Sequence, residues 1–303
     1  MSPRLIRSLG EYREACDELR AQGQRVGLVP TLGALHQAHQ ALMRRAREVS
    51  ERVVVTIFVN PTQFGPGEDF ERYPRDLSAD LASCEQAGVD LVFAPERSEI
   101  YPTGEATRVS VSRLTDGLCG PFRPGHFTGV ATIVAKLFAA TGACSAVFGR
   151  KDYQQLQVIQ RMTRDLLLPV RIVEHPTLRD ADGLATSSRN RYLSPAERQL
   201  ALAIPRALGR VGQLFLSGER DAERLTRALV ETLEPAGIRI EYAELASSHE
   251  LRRIEQGSLA PGEAGAFIAA RVGTTRLIDN LILGVDPPPG VAASVGPSSG
   301  TSA

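Results

Sequence analysis

The chain has no surplus of charge of either sign. Its 303 residues carry 35 Lys+Arg against 35 Asp+Glu, and a chain without a basic excess is a poor candidate for a protein held to nucleic acid by phosphate neutralisation. Cysteine is sparse: Cys16, Cys84, Cys119 and Cys144 are widely separated and none belongs to a Cys-x-x-Cys pair. They fit neither a disulfide framework nor a zinc knuckle, but rather reduced, buried thiols in a cytoplasmic protein. No window approaches the roughly 20 apolar residues of a membrane span. The N-terminal MSPRLIRSLGEYREACDELR lacks the apolar core of a signal peptide. Internal repeats are missing as well. The reading is a cytoplasmic protein with no membrane and no nucleic acid as partner.

What is present is a rhythm of short apolar runs and helical stretches from Arg25 to about Pro176. Val26–Val29 is brief and apolar, and a helical pattern runs from about Ala34 to Val49. Val53–Val59 reads VVVTIFV, an almost unbroken β-branched run of the kind covered on both faces in a parallel sheet. Further strands are expected at Asp90–Ala94, Ala146–Phe148 and Val170–Glu174, with helices at about Thr128–Ala140 and Tyr153–Leu167. Repeated strand–helix–strand units imply a Rossmann-like, doubly wound parallel α/β sheet.

After Asp182-Gly183 the character changes. Ser194-Pro195 predicts a capped helix start, with one long helix to about Leu216 and a second over Asp221–Leu233. Strands are expected at Ile238–Leu245, Ala266–Val272 and Arg276–Leu283, the last two joined by a tight turn at Gly273–Thr275. The expected domains are residues 1–183 for nucleotide and acid binding, a smaller α+β lid domain at 184–285, and a disordered tail from 286, where DPPPGVAASVGPSSGTSA holds too little apolar surface to order itself.

Four segments carry chemistry. Pro30–His39 (PTLGALHQAH) follows a strand and opens a helix, where backbone N–H groups and the helix dipole favour an anion. Gly33 would let backbone approach phosphate, and His36 and His39 share one helical face. Those histidines also fit a metal pair or an exposed surface, and this segment alone does not choose. Asn60 and Gln63, in FVNPTQF at the end of the β-branched strand, lie where open α/β sheets bind ligands; a plain polar turn fits equally. FGRKDYQQ places Lys151 and Gln155 on one side of a helix start, with Asp152 suited to a ribose hydroxyl or to capping. DGLATSSRN sets Ser187, Ser188 and Arg189 in a loop at the expected domain junction, able to close over phosphates or to serve as a polar linker. A fifth segment, RPGHFTGV, reads as a helix start near Thr128, with Arg123 and His126 as further candidates for the phosphates.

Taken in order, PTLGALHQAH, FVNPTQF, RPGHFTGV, FGRKDYQQ and DGLATSSRN resemble the pantothenate synthetase family, within the HIGH-type nucleotidylyltransferase superfamily, over about residues 25–283. The resemblance implies a ligase that forms pantothenate from pantoate and β-alanine with ATP, through pantoyl adenylate, releasing pyrophosphate and AMP. It implies ATP contacts from Leu32, Gly33, Ala34, Leu35, His36, Gln37, Ala38 and His39, then Gly149, Arg150, Lys151 and Asp152, then Leu178, Thr186, Ser187, Ser188 and Arg189. His39 would be the proton donor with His36 beside it, and Lys151 and Arg189 would meet the charge. Gln63 and Gln155 would hold pantoate, and Gln63 also β-alanine. Mg²⁺ on the triphosphate and a homodimer come with the family. Against its usual pattern, Leu32 and Thr186 replace Met, Gln37-Ala38 replaces Glu-Gly, and Arg150 replaces Glu. A related adenylate-forming amide ligase, or a non-catalytic nucleotide-binding homologue, are the rival readings. The sequence shows no base for the amine of the second step.

Overall fold

The computed structural model describes residues 2–290, which divide into two compact units. The first holds 2–180, 185–194 and 249–252; the second holds 181–184, 195–248 and 253–290.

In the first unit the elements are β1 (Arg4–Ile6), α1 (Leu9–Ala21), β2 (Val26–Thr31), α2 (Gln37–Val49), β3 (Arg52–Ile57), α3 (Leu77–Gln86), β4 (Leu91–Phe93), two short helical turns α4 (Arg97–Ile100) and α5 (Cys119–Phe122), α6 (His126–Thr141), β5 (Cys144–Gly149), α7 (Tyr153–Asp165) and β6 (Val170–His175). The strands form one parallel sheet in the order β1-β4-β3-β2-β5-β6. The expected doubly wound α/β architecture is present. β3 shows why: Val53, Val54 and Val55 are all fully buried, so successive side chains on opposite faces both need cover. One such layer joins Val29, Val53, Val55, Val92 and Val147 to Met43 and Ala46 of α2.

From β2 the chain winds outward through β3 on one side and returns to β5 on the other. The order reverses between β2 and β5, and the crevice beyond the carboxyl ends at such a switch point is where ligands bind in open α/β sheets.

β1 and α1 escaped the sequence reading. β1 is three residues long, pairing Arg4, Leu5 and Ile6 with Leu91, Val92 and Phe93, too short for any period to show.

The second unit contains α8 (Pro195–Ala201), α9 (Ala203–Leu216), α10 (Ala222–Leu233) and the antiparallel strands β7 (Arg239–Ser247), β8 (Ala264–Val272) and β9 (Thr275–Ile282) in that order. The expected single long helix to Leu216 is two helices, broken at Leu202. Pro205 has no N–H to give the Ala201 carbonyl, so the helix cannot run through unbroken. The first part of the tail expected from 286 is packed instead, since Pro288 and Pro289 are buried. The Pro288 ring lies so close to Gly212 of α9 that a Cβ there would come within 2.7 Å of it. The remainder of that expected tail, 291–303, lies outside the described residues. No helix among the described residues is long and apolar enough to cross a membrane.

Candidate active site

A cavity of about 240 Å³ opens where β2 and β5 end, and every residue lining it belongs to the first unit. His36, His39, Lys151 and Arg189, drawn from three separate segments, all line it, as do Gln63 and Gln155. So do Leu32, Ala38, Gly149, Asp152, Leu178, Thr186, Ser187 and Ser188. Gly33, Ala34, Leu35, Gln37 and Arg150 do not.

The loop from β2 to α2 explains part of that exclusion. Gly33 N–H donates to Thr31 Oγ1 at 3.2 Å, while Ala34 and Leu35 N–H donate to the two carboxylate oxygens of Asp80 at 3.1 and 2.8 Å. These donors are therefore committed, not free for phosphate. Gly33 and Ala34 both have positive φ, 83° and 52°. A Cβ on Gly33 would meet Asp80 Oδ2 at 2.8 Å, so the Asp80 contact by itself calls for glycine there. Asp80, on α3, is buried; burial raises its carboxyl above the ordinary value, opposed by the Leu35 and Ala34 hydrogen bonds.

This clamp delivers the histidines. His36 caps α2, its backbone N–H donates to His39 Nδ1 at 3.3 Å, and the two ring centroids are 4.1 Å apart. The donated bond leaves the proton of neutral His39 on Nε2. His36 Nδ1 is a buried ring nitrogen without a hydrogen-bond partner. Burial first, then the charge of Lys151, pulls His36 down to about 4; burial, then His36, pulls His39 down to about 3. Both rings are neutral near pH 7.

At the end of β5, Lys151 Nζ lies 3.7 Å from Asp152 Oδ1. Burial would raise the Asp152 carboxyl, but Lys151 and then Arg189 outweigh it and hold it low. Arg150 turns to Glu174 of β6 at 3.4 Å, which accounts for its absence from the cavity. In the 186–190 loop, Thr186 Oγ1 donates to Asp180 at 2.6 Å and Asn190 Nδ2 to the same carboxylate at 3.2 Å. A methionine in place of Thr186 could make no such bond.

Opposite, Asn60 Nδ2 donates to Gln63 Oε1 at 3.0 Å, and His126 Nδ1 meets the Gln63 carbonyl at 2.8 Å. Arg123 contacts His126 Nε2 at 2.9 Å and grips Glu68 through two bonds of 2.7 Å. Because arginine only donates, His126 Nε2 accepts and its Nδ1–H donates to Gln63. Arg123 and His126 line the cavity, but these bonds commit them to holding the Gln63 backbone. Burial, then Arg123, lowers His126 to about 4.

Sequence reasoning missed Asp80, Glu68, Asp69 and Tyr73, and the apolar wall of Val130, Ile133, Val134 and Leu137 from α6. Acidic side chains that serve by gripping a distant arginine or loop carry no local signature. The α6 wall was within reach, since that helix is apolar on almost every side.

Comparison with known proteins agrees with this geometry. The family model described as pantoate-beta-alanine ligase matches residues 4–282. The chain is 52% identical over 284 residues to a pantothenate synthetase of Heliobacterium modesticaldum, covering 93% of this chain and 100% of that protein. It is 49% identical to one of Myxococcus xanthus, covering 94% and 97%. Among solved structures, the crystal structure of pantothenate synthetase from Thermus thermophilus superposes with a TM-score of 0.87 at 46% identity, covering 92% of this chain and 99% of that one. The pantoate-beta-alanine ligase of Francisella tularensis, solved with beta-gamma ATP and beta-alanine, superposes with a TM-score of 0.75 at 31% identity, covering 94% and 99%. The chain belongs to the pantoate–β-alanine ligase family.

Proposed function

We propose that this chain condenses pantoate with β-alanine, driven by ATP. The observation that carries the reading is the single cavity in which His36, His39, Lys151 and Arg189 meet Gln63 and Gln155. The Francisella relative solved with a nucleotide and beta-alanine supports it.

In the first step the pantoate carboxylate attacks the α-phosphate, giving pantoyl adenylate and pyrophosphate. A carboxylate is already a nucleophile and needs no base; the demand is to meet charge on the leaving pyrophosphate. Lys151 and Arg189 supply permanent charge. His39, with the proton of its neutral ring on Nε2, is placed to give a hydrogen bond to the phosphates. ATP enters as its Mg²⁺ complex. Asp152 is the one carboxylate lining the cavity, and no cluster of three His, Cys, Asp or Glu side chains suited to a metal occurs among the described residues. That donor set fits an ion whose other ligands are phosphates and water.

In the second step the β-alanine amine attacks the acyl carbon, giving pantothenate and AMP. Three of the four histidines lining the cavity, His36, His39 and His126, at about 4, 3 and 4, are too weakly basic to deprotonate an ammonium. In this proposal the amine reacts from its neutral form. A cytoplasmic location and a homodimer complete the proposal; Leu166 and Leu167, exposed after α7, offer one apolar surface for a second copy.

The test is mass-spectrometric detection of an acyl adenylate when purified protein meets ATP, Mg²⁺ and pantoate without β-alanine. His39→Ala should greatly reduce that product in a folded protein. No adenylate from the unaltered chain would overturn the reading.

A further inference from the structure

Asn60 is fully buried, and its amide is wedged between two backbone groups of fixed polarity. Its Oδ1 faces the Thr62 N–H at 3.4 Å, and its Nδ2 faces the Gly129 carbonyl of α6 at 3.2 Å. A backbone N–H only donates and a carbonyl only accepts. Turning the Asn60 amide over would set donor against donor and acceptor against acceptor in a dry site. Two hydroxyls add to this: Thr62 Oγ1 at 2.9 Å and Tyr101 OH at 2.7 Å both donate to Oδ1. The orientation of Asn60 is thus set by its surroundings.

That orientation passes to the next amide. Asn60 Nδ2, a donor, lies 3.0 Å from the end of the Gln63 side chain, so the Gln63 atom there is its oxygen. The Gln63 Nε2H₂ group is what remains for the cavity that Gln63 lines.

We propose that Gln63 is a donor-only group, locked by Asn60 with Tyr101, and that it takes its ligands by oxygen alone. Resting on the pantoate and β-alanine reading above, this means it holds a carboxylate or hydroxyl oxygen of pantoate and the carboxylate end of β-alanine, and turns away an ammonium. Asn60 and Tyr101 are positioning residues: they act through Gln63.

Three variants and one exchange measurement test this. Pantoate affinity is measured by calorimetry in the presence of a non-hydrolysable ATP analogue. Gln63→Met, which removes the hydrogen bond but keeps the shape, weakens pantoate about 10- to 100-fold, the range of one bond to a charged acceptor. Gln63→Glu weakens it further, because an acceptor-only group now faces a carboxylate. ATP-analogue affinity is unchanged in both. Tyr101→Phe raises KM for pantoate while leaving kcat and KM for ATP near those of the unaltered chain, a split that general loosening would not produce.

Pantoate binding by Gln63→Glu as tight as by the unaltered chain overturns the donor-only assignment. If the unaltered chain itself binds no pantoate, the functional reading fails instead, and side-chain amide exchange in the ligand-free protein decides the polarity. Asn60 amide protons, both bonded, should exchange slowly and those of Gln63 fast; the reverse order overturns the proposal.

Discussion

The guanidinium of Arg189 is held by the carboxylate of Asp69 through two hydrogen bonds, Nη2 to Oδ1 at 2.9 Å and Nε to Oδ2 at 3.1 Å. The contact ties the 186–190 loop to the segment after Phe64, and the Tyr73 hydroxyl, bonded to Ser188, ties the same two segments again. Asp69 thus occupies two of the five donors that Arg189 can offer a polyanion.

Asp69→Asn therefore has opposed effects. It removes a negative charge and frees donors, so KM for ATP falls about 2- to 5-fold, the scale of a partly exposed charge pair. It also releases the arginine from its bidentate seat, so kcat for adenylate formation falls. Steady-state pyrophosphate release at low ionic strength reads both; a rise in KM would show that the carboxylate helps nucleotide binding.

Much of this site could be read from the sequence alone, for a physical reason. His36, Gln63, Lys151 and Arg189 stand at strand ends or in loops whose neighbours in the chain mark the turn, so their placement follows from local pattern. The supporting residues behave otherwise. Asp80 reaches a loop some 45 positions upstream, and Asp69 an arginine 120 positions downstream. Such pairings depend on how the chain returns through space, which no window of sequence contains. The same holds for Gly33, whose neighbour in space is Asp80, 47 positions along the chain.

Asp80→Ala should show the importance of that clamp. It leaves the Ala34 and Leu35 N–H groups without acceptors in a largely buried loop, at about 1–3 kcal/mol for each. The expected outcome is a lower melting temperature and weaker nucleotide binding, because Ala34 and Leu35, which lead into His36, are no longer held. Differential scanning fluorimetry with and without ATP measures both. Asp80→Asn keeps one acceptor and should fall between.

Gly129→Ala tests how closely α6 supports the 61–63 turn. The added methyl would lie 2.2 Å from the Thr62 carbonyl oxygen, a contact that backbone must move to relieve. Overpacking of this kind costs about 1–3 kcal/mol. The shift falls on the turn carrying Gln63, so KM for pantoate should rise more than KM for ATP. Equal changes in the two would place the strain elsewhere.

Three of the cavity histidines, His36, His39 and His126, make stability depend on acid. In the unfolded chain each titrates near about 6.5, against about 4 for His36, 3 for His39 and 4 for His126 when folded. Below pH 6.5 the unfolded chain takes up protons that the folded chain refuses. Stability from these groups is therefore complete above that pH, falls as pH drops towards 4, and levels off only below the folded values. Urea midpoints should be lower at pH 5 than at pH 7. The His36→Gln and His39→Gln double variant should show a shallower dependence, and an unchanged slope would remove these two rings as its source.

The second chemical step should respond to pH in the opposite range. With His36, His39 and His126 too weakly basic to take a proton from an ammonium, the proposed reaction uses neutral β-alanine. Its fraction rises about tenfold per pH unit below an amine pKa of about 10. The kcat/KM for β-alanine should therefore climb with unit slope between pH 7 and 9, while the same parameter for pantoate, a carboxylate throughout, stays flat. Because His36 and His39 titrate at about 4 and 3, they contribute no limb to either profile in that window. A β-alanine profile that levels off near neutral pH would instead reveal a base in the closed site, and Gln63→Glu would not restore the slope.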